Sequence, residues 1–309
     1  MPEVVPELRV LPLPGHGPED VALDPEGRVY AGTEDGSVYR LSPDGRRVDQ
    51  VGRTGGRPMG IEVLADGRLL VCDAVVGLIA LDPETGRTET WATSAAGRRL
   101  TCLNNATVHS SGDVYLSDSS AVYGIERWEA DIAENTASGR LLVRRADGST
   151  ELLVDGLRFA NGVALTADES AVLVAECAGR RIVRHWLTGD RAGQTDDLVT
   201  DLPGYPDNLS RGSDGLVWAA IASPTDPVLE RLMTGPRVLR KLAWRLPEKL
   251  RPAPRRTVRV MAFSDDGELR HDLSLDASGF HMATGVREHD GTVWLGTLRE
   301  SAVAAFDLP

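Results

Sequence analysis

The chain is poor in the residues that build disulfide scaffolds, zinc modules and membrane spans. Only three cysteines occur, Cys72, Cys102 and Cys177, with no CxxC pair and no histidine at zinc-ligand spacing. An odd, widely spaced set points to reduced thiols, with Cys72–Cys102 the one pairing worth testing as a disulfide. No apolar run approaches the ~20 residues of a membrane helix. The opening Met1-Pro-Glu-Val-Val-Pro-Glu lacks the basic and apolar regions of a secretory signal, so the expectation is a soluble cytoplasmic protein. Positive charge is also short. Thirty-four basic residues against 46 acidic give a net −12, which argues against general nucleic-acid binding.

What the chain does have is turns. It carries 32 glycines, and short runs of alternating apolar and polar residues lie between turn signals, as in an all-β domain. Six turn dipeptides stand out: Glu26-Gly27, Asp66-Gly67, Ser111-Gly112, Asp168-Glu169, Asp214-Gly215 and Asp290-Gly291. Counting back the same distance from each reaches Glu19, Met59, Asn104, Asn161, Asp207 and Ala283. A strand–turn–strand unit recurring at 40 to 76 residues is the mark of a propeller or solenoid. In a propeller, equivalent positions at the start of the innermost strands surround one axis. The chain therefore reads as a single six-bladed β-propeller over residues 1–309, with Leu8–Leu11 supplying a strand to the last blade and closing its edge.

The longest interval contains an insertion between the fifth and sixth blades, about residues 225–256. Apolar residues from Val228 to Leu246 recur there at helical spacing, and Gly235-Pro236 divides them into two short helices. The insertion is basic in an acidic chain, with Arg231, Arg237, Arg240, Lys241, Arg245, Lys249, Arg251, Arg255 and Arg256. It reads either as a solvated cap over one blade or as a lid attracting an anionic group or a membrane surface.

Four of the six axial positions carry oxygen donors. Calcium takes oxygen ligands only, carboxylates and amide carbonyls among them. Glu19 and Asp207 would neutralise the ion, and Asn104 and Asn161 would add neutral oxygens. No His or Cys falls in the ring, which disfavours zinc, copper and iron. One residue later, Asp20, Asn105 and Asn208 are placed to orient the ligands, as is usual around metals. A metal-polarised carbonyl or phosphoryl group needs a base or nucleophile, and Asp207 is the candidate for either role.

Gly56-Arg57-Pro58-Met59-Gly60, Glu134–Leu142, Phe159–Leu165, Arg184–Leu187 and Pro203–Asn208 resemble stretches of the strictosidine synthase-like branch of the calcium-dependent six-bladed propellers. That superfamily also holds regucalcin/gluconolactonases, paraoxonases and diisopropylfluorophosphatase. The resemblance implies an axial calcium on a Glu, two Asn and an Asp, carried here to Glu19, Asn104, Asn161 and Asp207. It also implies departures. Thr284 stands where true strictosidine synthases place their catalytic glutamate, Met59 where paraoxonases have a histidine, and Cys102 where gluconolactonases have an arginine. Of the six histidines, His281 and His16 are the ones near ring positions. Met59, Ala283, Phe280 and Met282 predict a partly apolar pocket, suited to a small-molecule substrate with an apolar body.

The leading expectation is a calcium-dependent hydrolase of carboxylic esters or lactones, with phosphotriester cleavage as a side activity. Two alternatives stand beside it: a biosynthetic enzyme using the pocket for a non-hydrolytic cyclisation or isomerisation, and a non-catalytic propeller with structural calcium.

Overall fold

The computed structural model describes residues 6–243 and 254–308. It is a six-bladed β-propeller, each blade a four-stranded antiparallel sheet. The innermost strands are Val21–Leu23, Pro58–Val63, Leu103–Val108, Ala160–Leu165, Gly204–Arg211 and Ala283–His289. Arg9–Pro12 pairs with Ala302–Asp307 and supplies the outer strand of the sixth blade, so the first and last segments close the ring. The expected closing strand is present, displaced by one residue.

The inner three strands of the blades are the segments whose apolar alternation is strong, and they are nearly continuously buried. The outer strands Val48–Arg53, Thr88–Ala92, Thr150–Leu157, Thr195–Val199 and Leu269–Leu275 were not expected. Their largely exposed, polar residues carry little periodic signal. Apolar side chains fill the six gaps between neighbouring blades. One interblade cluster, for example, joins Trp218, Val260 and Leu275 of the fifth blade to Val286, Leu295 and Phe306 of the sixth. Burial at these seams, at about 25 cal/mol per Å² of apolar surface, is what makes the ring cohere.

Two excursions rise from the blades. Between the second and third strands of the third blade lies helix α1 (Trp128–Glu134). The basic insertion holds α2 (Pro227–Thr234) and α3 (Arg237–Ala243), split at Gly235-Pro236 as expected. The expected apolar and basic positions Arg245, Leu246, Lys249 and Arg251 lie outside the described residues. Asp226 caps α2, accepting hydrogen bonds from Val228 N and Leu229 N, and Pro227 suits a first turn that needs no amide donor. Ile132, Phe159, Cys177, Tyr205 and Met233 form a small core that seats α1 and α2 over one end of the propeller. Among the described residues no helix is long and apolar enough to cross a membrane. Cys72, Cys102 and Cys177 are all buried free thiols, so the Cys72–Cys102 pairing is absent.

Candidate metal centre

The inner strand of every blade after the first breaks register with its neighbour at the same place. In the second blade Pro58 pairs with Asp73 and Ile61 with Val71, leaving Met59-Gly60 opposite the single residue Cys72. The same two-against-one bulge holds Asn104-Asn105, Asn161-Gly162 and Asp207-Asn208. A bulge bends the strand and re-aims its side chains, which is why bulges gather beside functional sites. In the first blade Glu19-Asp20 immediately precede the inner strand.

The sixth blade corrects the sequence alignment. There Ala283 pairs with Thr297 and Val286 with Leu295, so the bulged pair is Thr284-Gly285 and Ala283 falls outside the ring. His289 pairs directly with Thr292 across a two-residue turn, whose Asp290 (φ 49°) and Gly291 (φ 79°) are both left-handed, as a type I′ hairpin requires. The first, second, third and fifth blades use a longer connection there, so counting back the same distance from the turn overshot by one residue in the sixth.

With that register, the second position around the ring alternates: Asp20, Gly60, Asn105, Gly162, Asn208, Gly285. The glycines are steric necessities. A Cβ on Gly162 would lie 1.9 Å from Leu209 N, and one on Gly60 or Gly285 would lie 2.7 Å from the Cα of Asn105 or Asp20. The three polar side chains meet on the axis. Asn105 Nδ2 donates to Asp20 Oδ2 at 3.1 Å and to Asn208 Oδ1 at 3.0 Å. Asn105 Oδ1 accepts Val163 N, and Asn208 Nδ2 donates to Glu19 Oε1 at 3.0 Å. Asp20 also accepts Ile61 N, and the part-buried Arg287, paired with Glu62, lies beside it.

Above this network Glu19, Asn104, Asn161 and Asp207 all line one cavity that opens to solvent. All four are buried. Glu19 Oε2, Asn104 Oδ1 and Asn161 Oδ1 are fully buried and have no hydrogen-bond partner. Each of these is an acceptor with no donor. Orphaned buried acceptors cost about 1–3 kcal/mol each, and a cation is the group that satisfies several at once. Burial, then the charges of Asp207 and Asp20, push the Glu19 carboxyl well above its usual range, while Asn208 and Arg57 work against that rise. Burial lifts Asp207 to about 8, opposed by a hydrogen bond from Asn161 and aided by Asp20. Among the described residues no group of three or more His, Cys, Asp or Glu comes together as a metal site. The donor set here mixes two carboxylates with two amides, hard oxygens that fit calcium and not a thiophilic metal.

The rest of the cavity wall is apolar: Met59, Ile125, Trp128, Ile132, Phe159, Leu229, Met282 and Leu298, with Glu129, Tyr205 and Asp226 among the polar exceptions. Four of the anticipated neighbours are elsewhere. Phe280 and Ala283 belong to the seam between the fifth and sixth blades. His281 is turned to Glu300 and Arg256, and His16 to Ser301. Thr284 is buried with its hydroxyl donating to the Glu19 carbonyl at 2.6 Å, so it braces the ligand strand without reaching the cavity. Cys177 does line the cavity, but burial and the nearby Asp207 raise its thiol well above the ordinary range, which removes it as a nucleophile. The sequence reading missed α1's contribution, because a single short helix inside a loop has no repeat to reveal it. It also missed Arg57, buried beside Glu19 with Nη1 on the Gly17 carbonyl; a lone arginine in a Gly-rich turn carries no such signal.

Comparison with known proteins bears on the family and the fold. The strictosidine synthase family profile matches residues 104–190, and the strictosidine synthase-like N-terminal profile matches residues 7–41. The chain is 33% identical to the adipocyte plasma membrane-associated protein of Salmo salar, over 94% of this chain and 76% of that protein. It is 30% identical to the strictosidine synthase-like 10 protein of Arabidopsis thaliana, over 99% and 89%. Among solved structures, a gluconolactonase from Xanthomonas campestris superposes with a TM-score of 0.71 at 16% identity, covering 98% of this chain and 89% of that one. Regucalcin from Agrobacterium tumefaciens gives 0.67 at 14%, covering 98% and 94%. At those identities the structural neighbours speak for the propeller alone. The sequence relatives carry the assignment: the chain belongs to the strictosidine synthase-like family of six-bladed propellers.

Proposed function

We propose that this chain is a calcium-dependent hydrolase of carboxylic esters or lactones whose substrates carry a bulky apolar body. The observation that supports the reading most is the set of three donorless acceptor oxygens, on Glu19, Asn104 and Asn161, beside the Asp207 carboxyl in an otherwise greasy cavity. Calcium held by Glu19, Asn104, Asn161 and Asp207 would polarise a carbonyl or phosphoryl oxygen of the substrate.

The chain's own residues supply the rest. Asn208 fixes one oxygen of Glu19 and so leaves the other free to ligate. Asn161 donates to Asp207 and orients its carboxyl. Asp207 either takes a proton from attacking water or attacks the acyl carbon itself. Trp128, Ile132, Phe159 and Leu229 enclose the apolar part of the substrate and exclude bulk water, which strengthens every electrostatic interaction in the site. Among the described residues no arginine or lysine lines the cavity, so a polyhydroxylated sugar lactone would find few partners in that part of the wall.

A panel of aryl acetates, γ- and δ-lactones and paraoxon, assayed with calcium and after its removal, tests the reading. Calcium-dependent turnover of apolar esters or lactones is the expected result. A site that binds calcium but turns over none of the panel would favour the non-hydrolytic biosynthetic reading, to which the strictosidine synthase-like relatives lend support. Thr284 does not serve that reading as a base, since its hydroxyl is committed to the Glu19 carbonyl.

A further inference from the structure

The basic insertion has an inner face that is accounted for and an outer face that is not. On the inside, Leu229 lines the cavity, Met233 is buried against the core beneath α1, and Arg240 Nη1 donates to the Glu134 carbonyl at the end of α1 at 2.5 Å. The acids of α2 are turned inward as well. Asp226 caps the helix, while Glu230 accepts a hydrogen bond from the Tyr205 hydroxyl at 2.8 Å and lies 3.5 Å from Arg180.

What remains toward solvent is Val228, Val238 and Leu239, with the exposed Arg231 and Lys241 beside them. Val238 and Val228, at 68% and 67% exposure, are the most exposed large apolar side chains among the described residues. Single exposed aliphatics are ordinary, but three on two adjoining short helices, interleaved with cations in a chain of net charge −12, are not. Apolar residues flanked by Lys and Arg are what an interfacial helix presents to anionic headgroups.

We propose that the outer face of α2 and α3 docks on an anionic lipid surface. Val228, Val238 and Leu239 enter the headgroup region, and Arg231 and Lys241 meet the lipid phosphates. Charge complementarity favours an anionic bilayer: the chain as a whole carries a net −12, and the exposed cations of this face stand beside its exposed aliphatics. Since α2 also walls the cavity through Asp226 and Leu229, docking there brings the cavity to the bilayer surface, where apolar substrates partition. The docking stands on the surface chemistry and does not depend on the hydrolase reading.

The experiment is co-sedimentation of the full chain with vesicles of phosphatidylcholine alone and of phosphatidylcholine mixed with phosphatidylglycerol. The protein should bind the mixed vesicles, bind the neutral ones weakly, and release as salt rises. Arg231→Glu and Lys241→Glu should each weaken binding about fivefold or more. The pair Val238→Glu and Leu239→Glu should abolish it, while melting temperature and turnover of a soluble ester stay at the wild-type level, since neither side chain lines the cavity. No binding to mixed vesicles, equal binding to both kinds, or binding untouched by both sets of substitutions would overturn the proposal. A dimer in light scattering that Val238→Glu dissolves, with no vesicle binding, would overturn it too and assign the face to a second copy of the chain.

Discussion

Asn208 donates its side-chain amide to Glu19 Oε1 at 3.0 Å, and that bond leaves Glu19 Oε2 buried with nothing to donate to it. One oxygen is tied to the protein and its twin is held open. The same division recurs at Asn161, whose amide nitrogen serves Asp207 while its oxygen stays unpaired. Two of the four proposed ligands thus keep an acceptor oxygen open, which is the arrangement the proposed calcium would satisfy. Removing and restoring that ion is therefore the source of most of what the account predicts.

Asn104→Leu separates a metal ligand from a structural asparagine. The substitution removes a buried acceptor that has no partner, so the metal-free variant should melt no lower than metal-free wild type. Wild type should gain stability from calcium, roughly 4 kcal/mol at a thousandfold excess over Kd, and the variant should gain far less. Differential scanning calorimetry of both proteins, with and without calcium, reads both halves.

Metal-free protein should lose stability as pH rises. Asp207 is lifted to about 8 and Asp20 to about 7 by burial, against ~3.9 for an unfolded aspartate. Between those values the folded state holds protons that the unfolded chain has released, so protonation stabilises the fold and deprotonation weakens it. Melting temperature of stripped protein in metal-free buffers should fall from about pH 4 to about pH 8, the interval between the unfolded and folded values, and level off above it. Saturating calcium should flatten that slope. A slope of opposite sign without metal would show that the buried carboxyls are already paired.

Asp207→Asn should reduce hydrolysis by at least about a thousandfold, the loss expected when a base or nucleophile is removed. The amide keeps the shape of the side chain and still offers the metal an oxygen. Thr284→Val should instead leave kcat within a fewfold of wild type and lower stability by about 1 kcal/mol, the worth of the hydrogen bond to the Glu19 carbonyl. Steady-state kinetics at saturating calcium, beside a melting curve, distinguishes the two effects.

The alternating glycines make a steric prediction. A Cβ at Gly162 would lie 1.9 Å from a backbone nitrogen of the next blade, so Gly162→Ala must displace the Asn208–Leu209 backbone. It should cost about 3 kcal/mol or more, at or above the usual range for overpacking. Gly279→Ala is the control: a Cβ there meets nothing within 4 Å and should be nearly neutral. Urea unfolding of the two variants gives the comparison.

The blades and the ring were legible because propeller repeats place a turn at a fixed distance from each axial residue, and five of the six positions came out in register. The sixth did not, since a two-residue type I′ turn at Asp290-Gly291 is shorter than the connection its sister blades use. That one-residue slip also hid the alternation of Asp20, Asn105 and Asn208 with glycines. Polar outer strands such as Thr88–Ala92 carry no apolar pattern, and α1 is a single helix in a loop, so neither could be read from periodicity. His281 lay near the ring in sequence, but its partner Glu300 comes from the far side of a hairpin, and only the fold shows that the pair faces away from the cavity.

Calorimetric titration of calcium into stripped wild-type protein tests the central claim most directly. The account predicts one site per chain, lost in Glu19→Gln and Asn104→Leu while both variants remain folded. Absence of binding in the wild type, or a stoichiometry that survives both substitutions, would contradict a calcium centre built from Glu19, Asn104, Asn161 and Asp207.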